Sequence, residues 1–565
     1  MASTQPAQAQ SAAPGRFQAL LTPRNIDIAV VVGCLLAAVL FFMGRWQGIE
    51  PFAFLDGDGA NVSSFATARA DAAAFGSDPL LGDPEATRFY VNFHTVWTGI
   101  VGKAVSDFGL AYVMLLGPLV FLYLTLFYAL GRTLFDNRLG AILLALLAAV
   151  TVRLPLAEYW GLFPDPQPRA LFSALLPLPL IMAIRWRDKP QLWPLPLAFL
   201  GLLTYVHPVS APPVAGALWL GLATFYNPER GLLKHVISLA LAAGAFFLLM
   251  IPFAMLYFGS VAPPTDPAMN AAALAVIEQR FSPGFLDVPY AVWLFIESWF
   301  GLRAVLPIAT AVSAWFLWTR RPQTRRVLIF FAAMAVGLIL CGYVLPALEQ
   351  VAVAVLDRLP KIVDFMRASR YLVMLMLIVA VWGAAEAAQG RRGLIALAIA
   401  CLILPLAWIV IGKSAVIRPP LRLAGCLLQG RLLCGPTPAE ADRLAMLSYI
   451  RTRTPADAAF VSLAAGDNAI DVRYAGKRAV AFSWKDGGAF GYANPLKLID
   501  WSKGWARIKA LEGHESDWPA ASVFATSVKA DYVILDAADA GQVPAPAVCH
   551  RGGTYVLASV SGACP

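Results

Sequence analysis

The sequence predicts an α-helical polytopic membrane protein of about eleven transmembrane helices, amino terminus inside and carboxyl terminus outside, ending in a small periplasmic α/β domain. Three observations predict it. Charged residues make up only 14% of the 565-residue chain and hydrophobic ones 59%, against about 25% charged in soluble proteins. Apolar runs of about 20 residues, the length that crosses hydrocarbon, recur through the first 412 positions. Basic residues gather in every second loop between those runs, as cytoplasmic loops do.

Each span follows in order. Residues 1–25, Ala/Gln/Ser/Pro-rich at the start, read as a cytoplasmic tail. The run Ile26–Met43 is too long for a signal-peptide core and lacks a small-residue cleavage site, so it reads as a retained helix. Span cores fall near 27–46, 110–131, 138–153, 169–185, 192–207, 209–226, 233–258, 302–319, 326–346, 370–388 and 394–412. Prolines at 177, 179, 194, 196, 212 and 213 lie in or beside spans. Broken helices survive in membranes where protein or a wet cavity satisfies the backbone. The inner loops then hold Arg132 and Arg138, "RWRDK" (185–189), Arg230 and Lys234, "TRRPQTRR" (319–326) and "GRR" (390–392). The net charge of +9 is largely this topology signal, and it calls for no nucleic acid. Residues 26–412 form the membrane domain, with outer loops at 48–109, 153–168, 259–289 and 347–369. Segments 88–105 and 348–366 read as interfacial amphipathic helices.

The tail 413–565 reads as the periplasmic domain. "TPAE" (437–440) is a capping box that starts a helix to about Arg453. Strand-like 458–463, 478–482, 531–536 and 554–560 alternate with helical 494–511 and 519–529. Cys426, Cys434, Cys549 and Cys564 lie outside, where disulfides form. Short loops favour pairing 426 with 434 and 549 with 564 among three connectivities. No dinucleotide or Walker motif accompanies the domain.

The chemistry-bearing residues gather on the outer side. Asp56 and Asp58 in "FLDGDGA" follow the first span; D-G-D-G is also turn chemistry, and Asp also caps helices. The second outer loop, "RLPLAEYWGLFPDPQPR", supplies Arg153, Glu158, Asp165 and Arg169. Its arginines suit either function or interfacial snorkelling. Arg367 and Arg370 precede the tenth span three residues apart, on one helix face. They suit a phosphate, which Arg grips bidentately, or lipid headgroups. His207 and His94 are further candidates, with capping or packing the plainer reading of each.

In its inner amino terminus, first-loop acids in "LDGDGA", interfacial helices, about eleven spans and outer carboxyl-terminal domain, the chain resembles the GT-C superfamily of polyprenyl-phosphate-dependent membrane glycosyltransferases. The resemblance implies sugar transfer from a polyprenyl-phosphate-linked donor at the outer face of a bacterial inner membrane. It makes a first-loop acid, Asp56 or Asp58, the base or the ligand of a divalent cation such as Mg or Mn. It implies a second acid in the next outer loop, Glu158 or Asp165, with Arg153, Arg169, Arg367 and Arg370 for the phosphate. The sugar and the glycan, lipid or protein acceptor stay open. No W-W-D-Y-G motif is present, and the first-loop pair is Asp-Gly-Asp. The alternative reading is a transporter or flippase for a lipid-linked or anionic solute. Transporters tend to place ionisable groups near mid-membrane, whereas here they lie at the outer edge.

Overall fold

A computed structural model of the protein describes residues 23–88, 90–152, 161–259, 266–281, 287–360, 363–411, 417–464, 466–467, 469–511, 517–538 and 540–564. Arg153 and Glu158 lie outside them. Every apolar stretch singled out above carries helix. Among the described residues six helices are long and apolar enough to cross a membrane: Arg24–Trp46, Phe108–Leu134, Pro168–Arg185, Leu232–Tyr257, Pro322–Leu356 and Phe365–Ala387. Arg138–Ala148, Pro190–Leu203 and Ala211–Ala223 are shorter apolar helices. Proline shapes several of them. Pro168 and Pro177 each open a helical segment in the first turn, where a missing N–H costs nothing. The outer flanks carry apolar side chains exposed to the surroundings, such as Leu36, Leu233, Leu248 and Trp315. A soluble protein rarely exposes so large an apolar area, and a hydrocarbon solvent accounts for it. One continuous apolar cluster from Ala38 to Leu397 fills the interior between helices.

Two local expectations are corrected. Residues 348–356 do not begin a separate interfacial helix. The ninth apolar helix runs on through a π turn, Leu340–Val344, into Leu345–Leu356. Pro346 falls in the first turn after the π turn, where a missing N–H is tolerated. The interfacial helix of the first loop is Phe93–Val105 rather than 88–105. Asn92 caps it by accepting from the Thr95 N–H at 2.9 Å. Its exposed side is Phe93, Val96, Ile100 and Val105, and its buried side is His94, Thr95, Thr98 and Gly102.

The carboxyl-terminal segment builds a five-stranded sheet in the order β2-β1-β3-β5-β4, from β1 (Ala459–Ser462), β2 (Ala479–Val480), β3 (Tyr532–Asp536), β4 (Val548–Arg551) and β5 (Tyr555–Ser559). β1 pairs parallel with β2 and β3, and β5 pairs antiparallel with β3 and β4. The Thr437–Glu440 capping box starts the helix Pro438–Arg453. Disulfides join Cys426 to Cys434 and Cys549 to Cys564.

This sheet does not stand apart from the membrane half. Phe65, Phe75 and Leu80 of the first outer loop share a core with Val461, Phe490 and Trp501. Phe52, Ala60 and Tyr112 share a second with Ile450, Phe460 and Ile534. Between the two cores lies Arg473, fully buried. It donates to Asp78 of the first loop at 2.7 and 2.9 Å and to Asp486 at 2.6 and 3.0 Å. Asp78 also accepts from the backbone N–H groups of Leu80, Leu81 and Val480. Remote segments are thereby fixed in register, and that register positions the site.

Candidate functional site

The first apolar helix ends at Trp46 and the next helix begins at Gly57. The stretch between is held from three sides. Tyr474 of the carboxyl-terminal domain donates its hydroxyl to the Ala53 carbonyl at 2.6 Å and accepts from the Leu55 N–H at 3.2 Å. Asp165 of the second outer loop accepts from the Asp56 N–H at 2.7 Å. Asp165 also accepts from Arg45 Nε at 2.7 Å and is 1% exposed. It is therefore a buried clamp that orients Asp56, with little carboxylate surface left for substrate.

Asp56 occupies the N-cap position of Gly57–Ala70, yet its side chain makes no capping hydrogen bond. The plain capping role does not hold for it. The carboxylate instead lines a cavity of about 210 Å³ with Leu55, Gly57, Asp467, Asp471, Tyr474 and Lys485. Asp467 and Asp471 are themselves held by Arg443, at 3.0 and 2.7 Å. Burial first, and the neighbouring Asp165 charge second, raise the Asp56 pKa, against the pull of Arg45 and Lys485.

Asp58, one turn on, has the opposite environment. Its carboxylate is paired with the Arg169 guanidinium. Burial works to raise its pKa, but the charges of Arg169 and Lys485 and the Arg169 hydrogen bond outweigh it and hold the carboxyl well below its usual range. The side chain is still 38% accessible, as befits a group on the wall of an open pocket with protein on most sides. Two carboxylates two residues apart thus have affinities for protons pushed in opposite directions, the pattern that divides acid–base labour in enzyme sites.

His207 lies near both Asp58 and three arginines, and burial is the first cause that lowers its pKa. The charges of Arg169, Arg370, Asp58 and Arg367 all act on the His207 ring. His207 is oriented by Ser210, whose Oγ lies 2.8 Å from Nδ1 and accepts from the Tyr371 hydroxyl at 2.8 Å. Arg370 is 4% exposed and donates through Nε to the Arg367 carbonyl at 2.7 Å. It is a buried residue rather than one on the outer surface. The two arginines do not share one regular helix face: Arg367 lies in the last turn of a 3-10 segment, Val363–Ser369, and Arg370 starts the next α-helix. His94 lies elsewhere. It is fully buried between Phe93 and Tyr112, with its pKa pushed down to about 3 by burial against a pull from the Pro166 backbone, and it packs as a neutral ring.

Sequence reading missed Lys485. It follows Trp484 and precedes the Asp486 that Arg473 grips. A Cβ built on Gly57 would lie 3.2 Å from Lys485 Nζ. Gly57 has φ +47°, so both backbone and space call for glycine there. The Lys485 charge acts on Asp58 and Asp56. Arg280, from the helix Pro267–Phe281, stacks its guanidinium 4.2 Å over the Trp484 ring and also acts on Lys485. The only local signal was the charged pair inside "FSWKDGG". Nothing in that stretch points to a partner more than 400 positions away.

No protein-family model and no curated relative matches the chain. Among solved structures it is similar to the archaeal oligosaccharyltransferase AglB from Archaeoglobus fulgidus, in complex with an inhibitory peptide and a dolichol-phosphate. The TM-score is 0.46 with 14% identity, over 91% of this chain and 70% of that one.

A divalent cation was expected on Asp56 and Asp58. A Mg-type ion takes one or two protein carboxylates, with water and substrate phosphate completing its six oxygens. Asp58 is committed to Arg169 and Asp165 to Arg45 and a backbone N–H. Among the described residues no group of three His, Cys, Asp or Glu side chains is placed to hold a metal. Two of these carboxylates therefore already have arginine partners, and the Lys485 ammonium stands beside Gly57 in the cavity that Asp56 lines, so a cation here would meet fixed positive charge.

Proposed function

We propose that the protein transfers a sugar from a polyprenyl-phosphate-linked donor to an acceptor hydroxyl at the outer face of the membrane. The observation that supports it is the meeting of first-loop, second-loop and carboxyl-terminal side chains around Asp56 and Asp58, with Arg169 on Asp58 and the charges of Arg169, Arg367 and Arg370 acting on nearby His207. Asp56 suits the general base. It is accessible in the cavity, makes no capping bond and binds its proton more tightly than an ordinary aspartate, and a carboxylate within hydrogen-bond reach can take a hydroxyl proton. The acceptor oxygen forms its bond to the anomeric carbon as the carbon–oxygen bond to the lipid phosphate breaks. The proton goes to Asp56 and the electron pair to the phosphate. Arg169, held by Asp58, with Arg367 and Arg370 around His207, suits the charge that develops on that phosphate. Asp58 then acts by placing Arg169.

The distribution of charge favours this over transport. The first-loop acids and their arginine partners meet where helices begin and end. Of the acids in or near spans among the described residues, Asp27 pairs with Arg138 at 3.0 Å, Glu349 with Arg358 at 2.7 Å and Glu386 with Arg321 at 3.1 Å, and Glu297 ends the helix Val288–Glu297. The test is release of polyprenyl phosphate from a labelled polyprenyl-phosphate sugar by purified protein in proteoliposomes, with mixed acceptors. Turnover that disappears in Asp56→Asn supports the reading. Movement of intact donor between leaflets, without release, overturns it in favour of a flippase.

A further inference from the structure

The misfit between the carboxylates and a metal ion leads further, and it rests on the reading just given. Three features bear on it. First, Lys485 faces both first-loop carboxylates, and its ammonium lies over the Gly57 backbone that separates them. Second, that position is built. The next residue, Asp486, is locked by Arg473 to Asp78 of the same first loop that carries Asp56 and Asp58. Neither side of this clamp is exposed by more than 2%. Third, the Nζ atom makes no ion pair within 4.0 Å among the described residues, and it lines the cavity. It faces the carboxylates across open space rather than being consumed by one of them.

We infer that the Lys485 ammonium does here the work that a divalent cation does at paired carboxylates: it balances Asp56 and Asp58 and presents positive charge to the departing lipid phosphate, so that transfer needs no metal. The arrangement makes the carboxyl-terminal domain part of the reaction centre. A lysine is a compact point charge on a flexible stem, and it supplies one positive charge where a divalent ion supplies two. Arg169 beside Asp58 provides the second. Each carboxylate thereby has a cation, and a metal brought to the same place would meet like charges on either side.

The experiment has two arms, one of them independent of turnover. In the first, Mn2+ alone is titrated into metal-stripped protein and followed by electron paramagnetic resonance, for wild type, Lys485→Ala and Lys485→Arg. Wild type and Lys485→Arg are expected to bind no Mn2+ at the site. Lys485→Ala, with the ammonium gone from beside the Asp56 carboxylate, is expected to bind it, and Lys485→Ala/Asp56→Asn is expected to lose it again. Stoichiometric Mn2+ binding by wild type, lost in an Asp56→Asn variant that keeps the wild-type circular-dichroism spectrum, overturns the proposal. In the second arm, turnover of chelated wild type is expected to be unchanged. Lys485→Ala is expected to fall by about 10²–10³-fold, as when one charge-stabilising donor is removed, and to regain part of that with Mn2+. Loss of wild-type turnover on chelation, restored by Mn2+, overturns the proposal but leaves the transferase reading intact. Absence of turnover under every condition with a functional donor overturns the transferase reading, while the Mn2+ titration still decides the role of Lys485.

Discussion

Replacing Arg473 by Ala tests the joint that brings the site together. The guanidinium makes four charge-assisted hydrogen bonds of 2.6–3.0 Å to two carboxylates, and all three side chains are buried. Removing it leaves Asp78 and Asp486 facing each other without a cation. Breaking a buried pair by deleting one partner costs about 3–5 kcal/mol, because the remaining charge stays buried. At 1.4 kcal/mol per tenfold, local opening of the joint should rise by about 10²–10⁴-fold. Hydrogen exchange resolved by mass spectrometry reads this directly. Backbone amides in peptides covering 75–85 and 470–490 should exchange faster by that factor in Arg473→Ala, and those of the apolar helices should not change. The pH dependence has a definite sign. Burial already raises the Asp486 pKa, against the pull of Arg473. Without Arg473 it rises further, so the deficit is full above the raised value and shrinks as pH falls through it and the carboxyl is protonated. Exchange unchanged at both segments, or a deficit that grows on acidification, would refute the assigned role of the joint.

Other consequences are more local. Asp56→Asn should lower turnover by about 10²–10⁴-fold, the span of general-base contributions. Because the Asp56 pKa is raised from 3.8, wild-type kcat/KM should fall on the acid side through an apparent pKa above that value. Gly57→Ala should destabilise the first loop by about 1–2 kcal/mol, the cost of a Cβ in the left-handed region, and should displace Lys485. A melting curve and turnover of the purified variant would report the two effects. Serine at Cys426 and Cys434 should lower stability by about 2–3 kcal/mol, since the closed loop is short; thiol labelling under denaturation, before and after reduction, would first establish that the bond is present.

Much of the architecture was legible because it rests on short-range periodicity. An apolar run of span length has few alternatives, and every such run carries helix. The strands at 459–462, 532–536 and 555–559 fell where alternation and β-branched residues put them, and the Thr437 capping box stands as read. Asp56, Asp58, Asp165 and Arg169 were visible because each sits in a charged island between apolar runs. What escaped depends on distance or on compensation. The helix Asp486–Ala493 is the sequence DGGAFGYA, whose glycines argue against helix until tertiary packing overrides them. The π turn Leu340–Val344 that joins two helices leaves no mark in the hydropathy. Lys485 carries no local signal, since a position beside the first loop leaves no periodic trace. Asp165 reads as a second site acid, and only its burial shows it to be a clamp on Asp56.

The most direct measurement is the position of the donor. Electron cryo-microscopy of the protein with a non-transferable polyprenyl-phosphate sugar should place the phosphate within hydrogen-bond reach of Arg169 and Arg370, beside His207. The anomeric carbon should face the cavity that Asp56 and Lys485 line. Density for the phosphate on another face of the helices, or a sugar turned away from Asp56, would contradict the account.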